Sequence, residues 1–254
     1  MGTIRDEEGG AVLTTYLAVI LIAFAGGLTQ AITGLGAAAV MMAVMPWFFN
    51  MLEAPAICQL VCMAQSGTLL LRLRKHVNLK RALPPTVVYT ALSVLSIRVA
   101  KGLNLNLLTA IFGGFLVLLA LWFCFFEGKF KVPTGTGAML GCSSLSGMFS
   151  GFFGVGGPTM ALWMLSAFEE RMAYLAALQL LFFTSNTLST VTRIASGILT
   201  WNLIPPALAG MVGIMAGQTL GLKLAPKLKP EWFRRAVYIV VGLSGLIQLV
   251  NQIV

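Results

Sequence analysis

Charged residues are scarce in this 254-residue sequence: they make up 10% of it, against 58% hydrophobic residues and a mean hydropathy of +0.90. A soluble domain of ordinary composition carries about 25% charged residues, so this chain has too few to cover a water-soluble fold. Apolar runs recur from Tyr16 to the C-terminus, and several exceed the roughly 18–20 residues that a helix needs to cross a bilayer. The composition therefore predicts an integral membrane protein with several spans.

Buried acids and histidines are also lacking. The one histidine, His76, lies in a basic loop, and the carboxylates outside the acidic N-terminal segment lie at the ends of apolar runs: Glu53, Glu127, Glu169, Glu170 and Glu231. The sequence thus offers no proton relay of buried carboxylates, no metal-ligand cluster and no nucleophile with a base. We expect no catalytic residue, no metal and no cofactor.

Cysteine is rare and gives no motif. Cys58, Cys62, Cys124 and Cys142 lie in apolar segments without CxxC spacing, so we expect buried thiols and no disulfide framework. Cys58 and Cys62 share a helix face beside Gln59, and a role in handling a sulfur-containing substrate is the alternative interpretation.

The net charge of +9 comes from Lys and Arg in short loops and not from one amphipathic face. Such residues set membrane topology, so nucleic acid is not an expected partner. The acidic start "MGTIRDEEGG" is followed by no small-residue cleavage pattern, and we expect no cleavable signal peptide.

Two glycine-rich interruptions, "TGLGA" at 33–37 and "GVGGP" at 154–158, belong to a longer internal match. At an offset of 120 residues, Gly27 aligns with Gly147, Gly34 with Gly154, Gly36 with Gly156 and Gln59 with Gln179. The ordered matches predict a single transmembrane domain over 1–254 that contains two repeats, about 11–128 and 129–254. A polar linker at 126–135 joins the repeats.

Each repeat contains four apolar blocks, of which the first is the longest. The blocks cover about 14–49, 54–72, 83–100 and 105–126, and then 135–168, 172–193, 203–222 and 233–252. A block of about 34 residues is too long for one crossing at about 1.5 Å per residue. Such a block is either one strongly tilted helix or a helix that breaks at its glycines and turns back.

The distribution of Lys and Arg distinguishes these arrangements. Eight single crossings put 9 basic residues on one face and 8 on the other, whereas a returning first block puts 13 on one face and 4 on the other. Because cytoplasmic loops are enriched in Lys and Arg, the second arrangement is favoured. It predicts an all-α integral membrane protein of two inverted repeats, each a broken or re-entrant helical hairpin plus three transmembrane helices, with both termini outside.

The glycine interruptions suit broken helices. Glycine adopts backbone angles that other residues resist, and Pro158 suits the first position of a new helix. A helix that begins there points free N–H groups and partial positive charge at the break, which favours an anion. Inverted repeats with broken helices are typical of secondary transporters, which bind substrate near the midplane.

The predicted substrate-binding residues are the two breaks and the neutral polar residues near them. Polar side chains inside a bilayer are costly unless satisfied, so we expect them to face the protein interior. The set is Gln30, Thr33, Gly34, Gly36, Gln59, Ser66, Ser150, Gly154, Gly156, Gly157, Pro158, Gln179 and Asn186.

Arg193 and the glycines of 203–222 have two interpretations each. Arg193 either attracts an anion or, as we expect, extends to the membrane interface. Gly210, Gly213, Gly217 and Gly221 have the spacing of a helix-packing face, which serves either this chain or a homodimer.

The breaks and their flanks, "GMFSGFFGVGGPTM" at 147–160 and "GGLTQAITGLGAAAVMM" at 26–42, resemble the sulfite exporter TauE/SafE family over nearly the whole chain. The matching positions are Gly34, Gly36, Gly154, Gly156, Gly157 and Pro158. The resemblance implies transport, often export, of a small sulfur-containing or organic anion such as sulfite or sulfoacetate. It also implies a bacterial inner membrane location.

Together the sequence predicts a secondary transporter of a small anion that works by alternating access, with the anion and the lipid bilayer as its partners. The alternatives are a channel-like anion pore, an intramembrane enzyme and a membrane scaffold that transports nothing.

Overall fold

The computed structural model describes residues 3–125, 132–227 and 230–253, and side chains over 13–122, 132–227 and 237–250. Ten α-helices and no strand are found in these ranges. The first five helices are α1 (Thr3–Thr33), α2 (Ala37–Val44), α3 (Glu53–Leu73), α4 (Leu79–Ala100) and α5 (Leu105–Phe125). The next five are α6 (Thr136–Phe153), α7 (Gly157–Ala167), α8 (Arg171–Ala195), α9 (Ile204–Leu224) and α10 (Pro230–Ile253). Most of the predicted linker lies outside the described residues.

Five helical stretches of the described chain are long and apolar enough to cross a membrane. They are Leu13–Thr33, Glu53–His76, Leu79–Ala100, Leu105–Trp122 and Trp201–Lys227. Helix α8 has 25 residues, which is also sufficient length, but it carries buried polar side chains that lower its mean hydropathy. The prediction of an all-α integral membrane protein is confirmed.

Both long first blocks are broken at their glycines. Residues 34–36 separate α1 from α2, and residues 154–156 separate α6 from α7. Gly34 and Gly154 have φ values of 85° and 72°, in the left-handed region that favours glycine. A single tilted helix, one of the two arrangements considered, is therefore wrong.

The short helix after each break folds back against the helix before it. In the second half the Ser146 and Thr159 hydroxyls lie 2.5 Å apart, and Ser143 Oγ lies 3.4 Å from Met160 Sδ. In the first half, α2 packs against α1 close to Gly26. The chain thus turns back inside the helix bundle after each break.

The helix pairings of the two halves correspond. Helix α1 packs on α9 as α6 packs on α4, while α3 packs on α8 and α5 on α10. Helix α6 corresponds to α1, and α9 corresponds to α4, at the spacing of the sequence match. Each pairing therefore joins a helix of the first half to a helix of the second. The two halves therefore interlock and share one core.

The glycine face of α9 is covered by α1. A Cβ atom at Gly213 would overlap the Ile20 carbonyl, and one at Gly217 would overlap the Phe24 carbonyl. These glycines allow the two helices to approach closely, as their spacing predicts. The glycine face of α9 is therefore buried within this chain, and a homodimer stays a prediction.

Loop contacts fix which loops share a face of the bundle. His76 Nδ1 lies 3.5 Å from Glu170 Oε1 at the start of α8, whereas Lys101 Nζ donates to the Ser196 carbonyl at its end, at 2.7 Å. The 72–81 loop therefore lies with the start of α8. Eight single crossings would separate them, so that arrangement is wrong and a returning first block fits.

The loop contacts also give the relative directions of α3 and α8 and of α4 and α9, while the two inverted repeats stay a prediction. Helix α3 ends on the face where α8 begins, and α4 ends on the face where α9 begins. The assignment of the more basic face to the cytoplasm stays a prediction.

Candidate functional site

A buried cavity lies where the two helix breaks meet. Its volume is about 40 Å³, and nine of the predicted site residues line it. They are Gln30, Gly36, Ser66, Ser150, Gly154, Gly156, Gly157, Pro158 and Asn186. The structure thus brings residues of both breaks, and of the polar helices α3 and α8, to one place.

Two helix N-termini reach this cavity. Helix α2 begins after Gly36 and α7 after Gly156, and neither glycine supplies a side-chain cap. In the first hydrogen bond of α2, the Val40 N–H donates to the Gly36 carbonyl at 3.0 Å. The preceding N–H groups have no acceptor within their own helix and carry the partial positive charge of its N-terminus.

Close packing around Gly156 explains why the second break needs glycine there. A Cβ atom at this position would lie 2.5 Å from Tyr89 Oη and 2.7 Å from Ser150 Cβ. Its φ of −122° is accessible to any residue, so the constraint is space. Gly156 lets the chain pass between α4 and α6 and start α7 at the cavity.

The side chains of the cavity wall are neutral. Ser66 and Asn186 are buried, and Ser66 Oγ donates to the Cys62 carbonyl at 2.7 Å, which leaves its lone pairs as acceptors. Together with the backbone N–H groups, the Asn186 amide can donate hydrogen bonds to an oxyanion.

Four predicted site residues do not line the cavity. The Thr33 hydroxyl donates to the Thr29 carbonyl, one turn earlier in α1, at 2.9 Å. Gly34 lies against Leu175. Gln179 Oε1 accepts from Gln30 Nε2 at 3.5 Å, so it holds a residue that does line the cavity.

Gln59, the fourth, is also engaged within the protein. Its Nε2 donates to the Ser150 carbonyl at 2.8 Å, and its Oε1 accepts from Arg193 Nε at 2.8 Å. Gln59 therefore supports the wall of the cavity and contacts Arg193 behind it.

Arg193 is fully buried, and the prediction that it extends to the interface is wrong. Its guanidinium also donates to the Gly151 carbonyl at 2.7 Å and the Leu52 carbonyl at 3.3 Å. The Gly151 carbonyl lies in the last turn of α6, where carbonyls have no partner within the helix, so it is an acceptor that draws Arg193 inward.

Sequence reasoning missed Tyr89 and Phe182 as wall residues, together with the apolar Ala38, Ala39 and Val155. Tyr89 lies in α4, where Thr86, Thr90 and Ser93 are buried with it, so the polar residues of this apolar helix were the signal that could have found it. Only the close approach of α4 to α6 brings its hydroxyl beside Gly156 and Ser150.

The cysteines are buried or half-buried thiols where the structure describes them. Cys58 and Cys62 are buried, free and 4.0 Å apart at their sulfurs, and Cys142 is half-buried and free. Cys62 lines the cavity. The side chain of Cys124 lies outside the described residues.

A bundle of apolar helices with two broken hairpins that meet at a cavity with neutral polar and apolar walls has the architecture of a membrane transporter. The family model of the sulfite exporter TauE/SafE matches residues 19–247, and the chain belongs to this family. The protein is accordingly a membrane transporter of sulfite or a related anion and not an enzyme. Neither the comparison with curated proteins nor that with solved structures gave a match.

Proposed function

We propose that the protein is a secondary transporter that exports a compact sulfur-containing oxyanion or organosulfonate, such as sulfite or sulfoacetate, by alternating access. The observation that carries the proposal is the meeting of two helix N-termini at one cavity whose side chains are neutral. Backbone N–H groups at such termini bind anions without a basic side chain in contact.

The size of the cavity favours a compact ligand. A volume of about 40 Å³ is small beside the roughly 300–1,000 Å³ of pockets that hold drug-sized ligands. It therefore favours a compact oxyanion, such as sulfite, over an extended carboxylate.

Export of an anion needs no proton relay. An inside-negative membrane potential drives each negative charge outward by about 2.3 kcal/mol per 100 mV. The described carboxylates, Glu53, Glu169 and Glu170, do not line the cavity. The membrane potential alone is a sufficient driving force for the proposed direction.

The interlocked halves support the proposal of alternating access. The breaks of both halves contribute to one cavity, and α3 runs opposite to α8 and α4 opposite to α9. If the halves are inverted repeats, a rocking motion of one against the other opens the cavity to each face in turn. The proposed location is the bacterial inner membrane, with the more basic face in the cytoplasm and both termini outside.

A thermal-shift screen of the detergent-purified chain tests the ligand class. Sulfite, sulfate, thiosulfate, sulfoacetate, taurine and simple carboxylates are compared at matched ionic strength. A ligand present at about 100 times its dissociation constant adds about 2.7 kcal/mol to the free energy of unfolding. We expect sulfite to stabilise most, and stabilisation by carboxylates alone would contradict the substrate class.

A channel-like pore would use the same residues. Counterflow distinguishes a transporter from a pore. A transporter exchanges labelled for unlabelled anion and its rate saturates, whereas a pore does neither. We expect saturable counterflow of sulfite in proteoliposomes.

A further inference from the structure

Arg193 is a buried cation close to the proposed anion site. Its side chain is 0% exposed and lies between α3 and α6. It lies behind the cavity wall, where it donates to the carbonyl of Gly151, the neighbour in sequence of the wall residue Ser150, and to Gln59, whose amide donates to the Ser150 carbonyl.

The partners of the guanidinium are all neutral. They are an amide oxygen of Gln59 and the backbone carbonyls of Gly151 and Leu52. Within the described side chains the one ion pair is His76 with Glu170, so Arg193 has no carboxylate partner there. A buried charge is costly unless an opposite charge compensates it.

The helix termini at the cavity do not supply a net charge. Helices α2 and α7 begin there, each with about +0.5 charge, and α1 and α6 end there, each with about −0.5. These partial charges cancel in sum, although the N–H groups still orient the ligand. Among the described side chains that bond the elements behind the cavity wall, Arg193 therefore supplies a full positive charge.

We propose that Arg193 is a specificity-determining residue, which makes the site prefer doubly charged over singly charged anions of similar shape. The inference rests on the proposed anion transport and deepens it. Arg193 acts through the wall by its charge and does not contact the ligand. Hydrogen bonds to the N–H groups recognise oxygens on either kind of anion, while attraction to a cation in a low dielectric grows with the charge of the ligand.

The test compares affinities for anions that differ in charge. Sulfate and sulfite, at a pH where sulfite is doubly charged, are titrated calorimetrically against the singly charged methanesulfonate. For Arg193→Gln we expect the preference for the dianions over methanesulfonate to fall by about tenfold or more, while Arg193→Lys retains most of it because the charge is kept.

Gln59→Glu gives a second test that leaves the guanidinium in place. A carboxylate there would pair with Arg193 Nε and neutralise its charge, so the dianion preference should fall as in Arg193→Gln. The matched control is Gln59→Leu, which removes both hydrogen bonds of the amide but keeps the charge of Arg193. We expect it to lower stability and leave the preference unchanged.

The outcomes separate the two proposals. Equal loss of affinity for all three anions, or an unchanged preference in whichever of Arg193→Gln and Gln59→Glu folds, would overturn the role of Arg193 while anion binding stands. If the wild-type protein binds none of the three anions, the proposed function fails, and this inference fails with it.

Discussion

Gly34 and Gly154, 120 positions apart, end their helices with the same geometry. Each has a positive φ, 85° and 72°, and each donates its N–H to the carbonyl four residues earlier at 2.8 Å. A glycine in the left-handed conformation is a common way to terminate a helix. The chain therefore uses one local device twice, and both copies bring the following short helix to the same cavity.

We predict that alanine at position 154 destabilises the protein through its backbone. The nearest contact of an added Cβ would be 3.4 Å, to Pro55, which is tight but not an overlap, so strain in the left-handed region is the main cost, about 1–2 kcal/mol. Asparagine tolerates this region better. The thermal unfolding temperature should therefore be highest for the wild type, lower for Gly154→Asn and lowest for Gly154→Ala.

The control for this comparison is Gly137→Ala in the first turn of α6. Its added Cβ would meet nothing within 4 Å, and its φ is not positive. Equal stability of Gly154→Ala and Gly137→Ala would show that the break does not constrain residue 154.

Asn186 should contribute to affinity without contributing much to stability. Its buried amide lines the cavity, and a hydrogen bond to a charged group is worth about 1.5–3 kcal/mol. Asn186→Leu is expected to weaken sulfite binding about tenfold or more in a calorimetric titration. Asn106→Leu, at the exposed start of α5, is the control, and equal affinity in the two variants would remove Asn186 from the site.

The close packing of α1 on α9 predicts a large effect of small additions. Alanine at Gly213 or Gly217 would overlap a backbone carbonyl of α1, and overpacking of this kind costs about 1–3 kcal/mol. Gly114→Ala, whose Cβ would meet nothing within 4 Å, should unfold at the wild-type temperature or slightly above it, because alanine favours the helix. If Gly213→Ala is as stable as Gly114→Ala, the two helices do not pack this closely.

Chemical labelling can show whether the 72–81 loop and the start of the segment before α9 lie on opposite sides of the membrane. Lys75→Cys and Trp201→Cys place thiols at exposed positions on opposite faces, and Trp201 is 88% exposed. In intact cells an impermeant maleimide should label Trp201→Cys, and it should label Lys75→Cys only after permeabilisation. The same pattern for both variants would contradict the returning first block.

The helix breaks were predictable from sequence because their signals are local. Glycine widens the range of backbone angles locally, whereas Pro158 fixes one of them. The match at an offset of 120 residues shows that the glycine pattern occurs twice. The polar cavity residues Ser66 and Asn186 were predictable for a related reason, since neutral polar groups in apolar helices face inward.

Burial of Arg193 was not predictable in this way. Its acceptors lie on Leu52, Gln59 and Gly151, at separations of 42 to 141 residues. From sequence alone, an arginine in the last turn of an apolar helix has the pattern of an interfacial residue. The bond from Arg193 to Gln59 was hidden for the same reason, and a role of Gln59 in holding an anion stays a prediction.

The most direct test of an anion site at the helix breaks is sulfite counterflow in proteoliposomes with Gly156→Ala. An added Cβ would enter the space of Tyr89 Oη and Ser150, which displaces the start of α7 from the cavity. Gly141→Ala, in the same half with nothing within 4 Å of its Cβ, is the matched control. We predict saturable counterflow in the wild type and Gly141→Ala and its loss in folded Gly156→Ala. Equal counterflow in all three proteins would contradict the account.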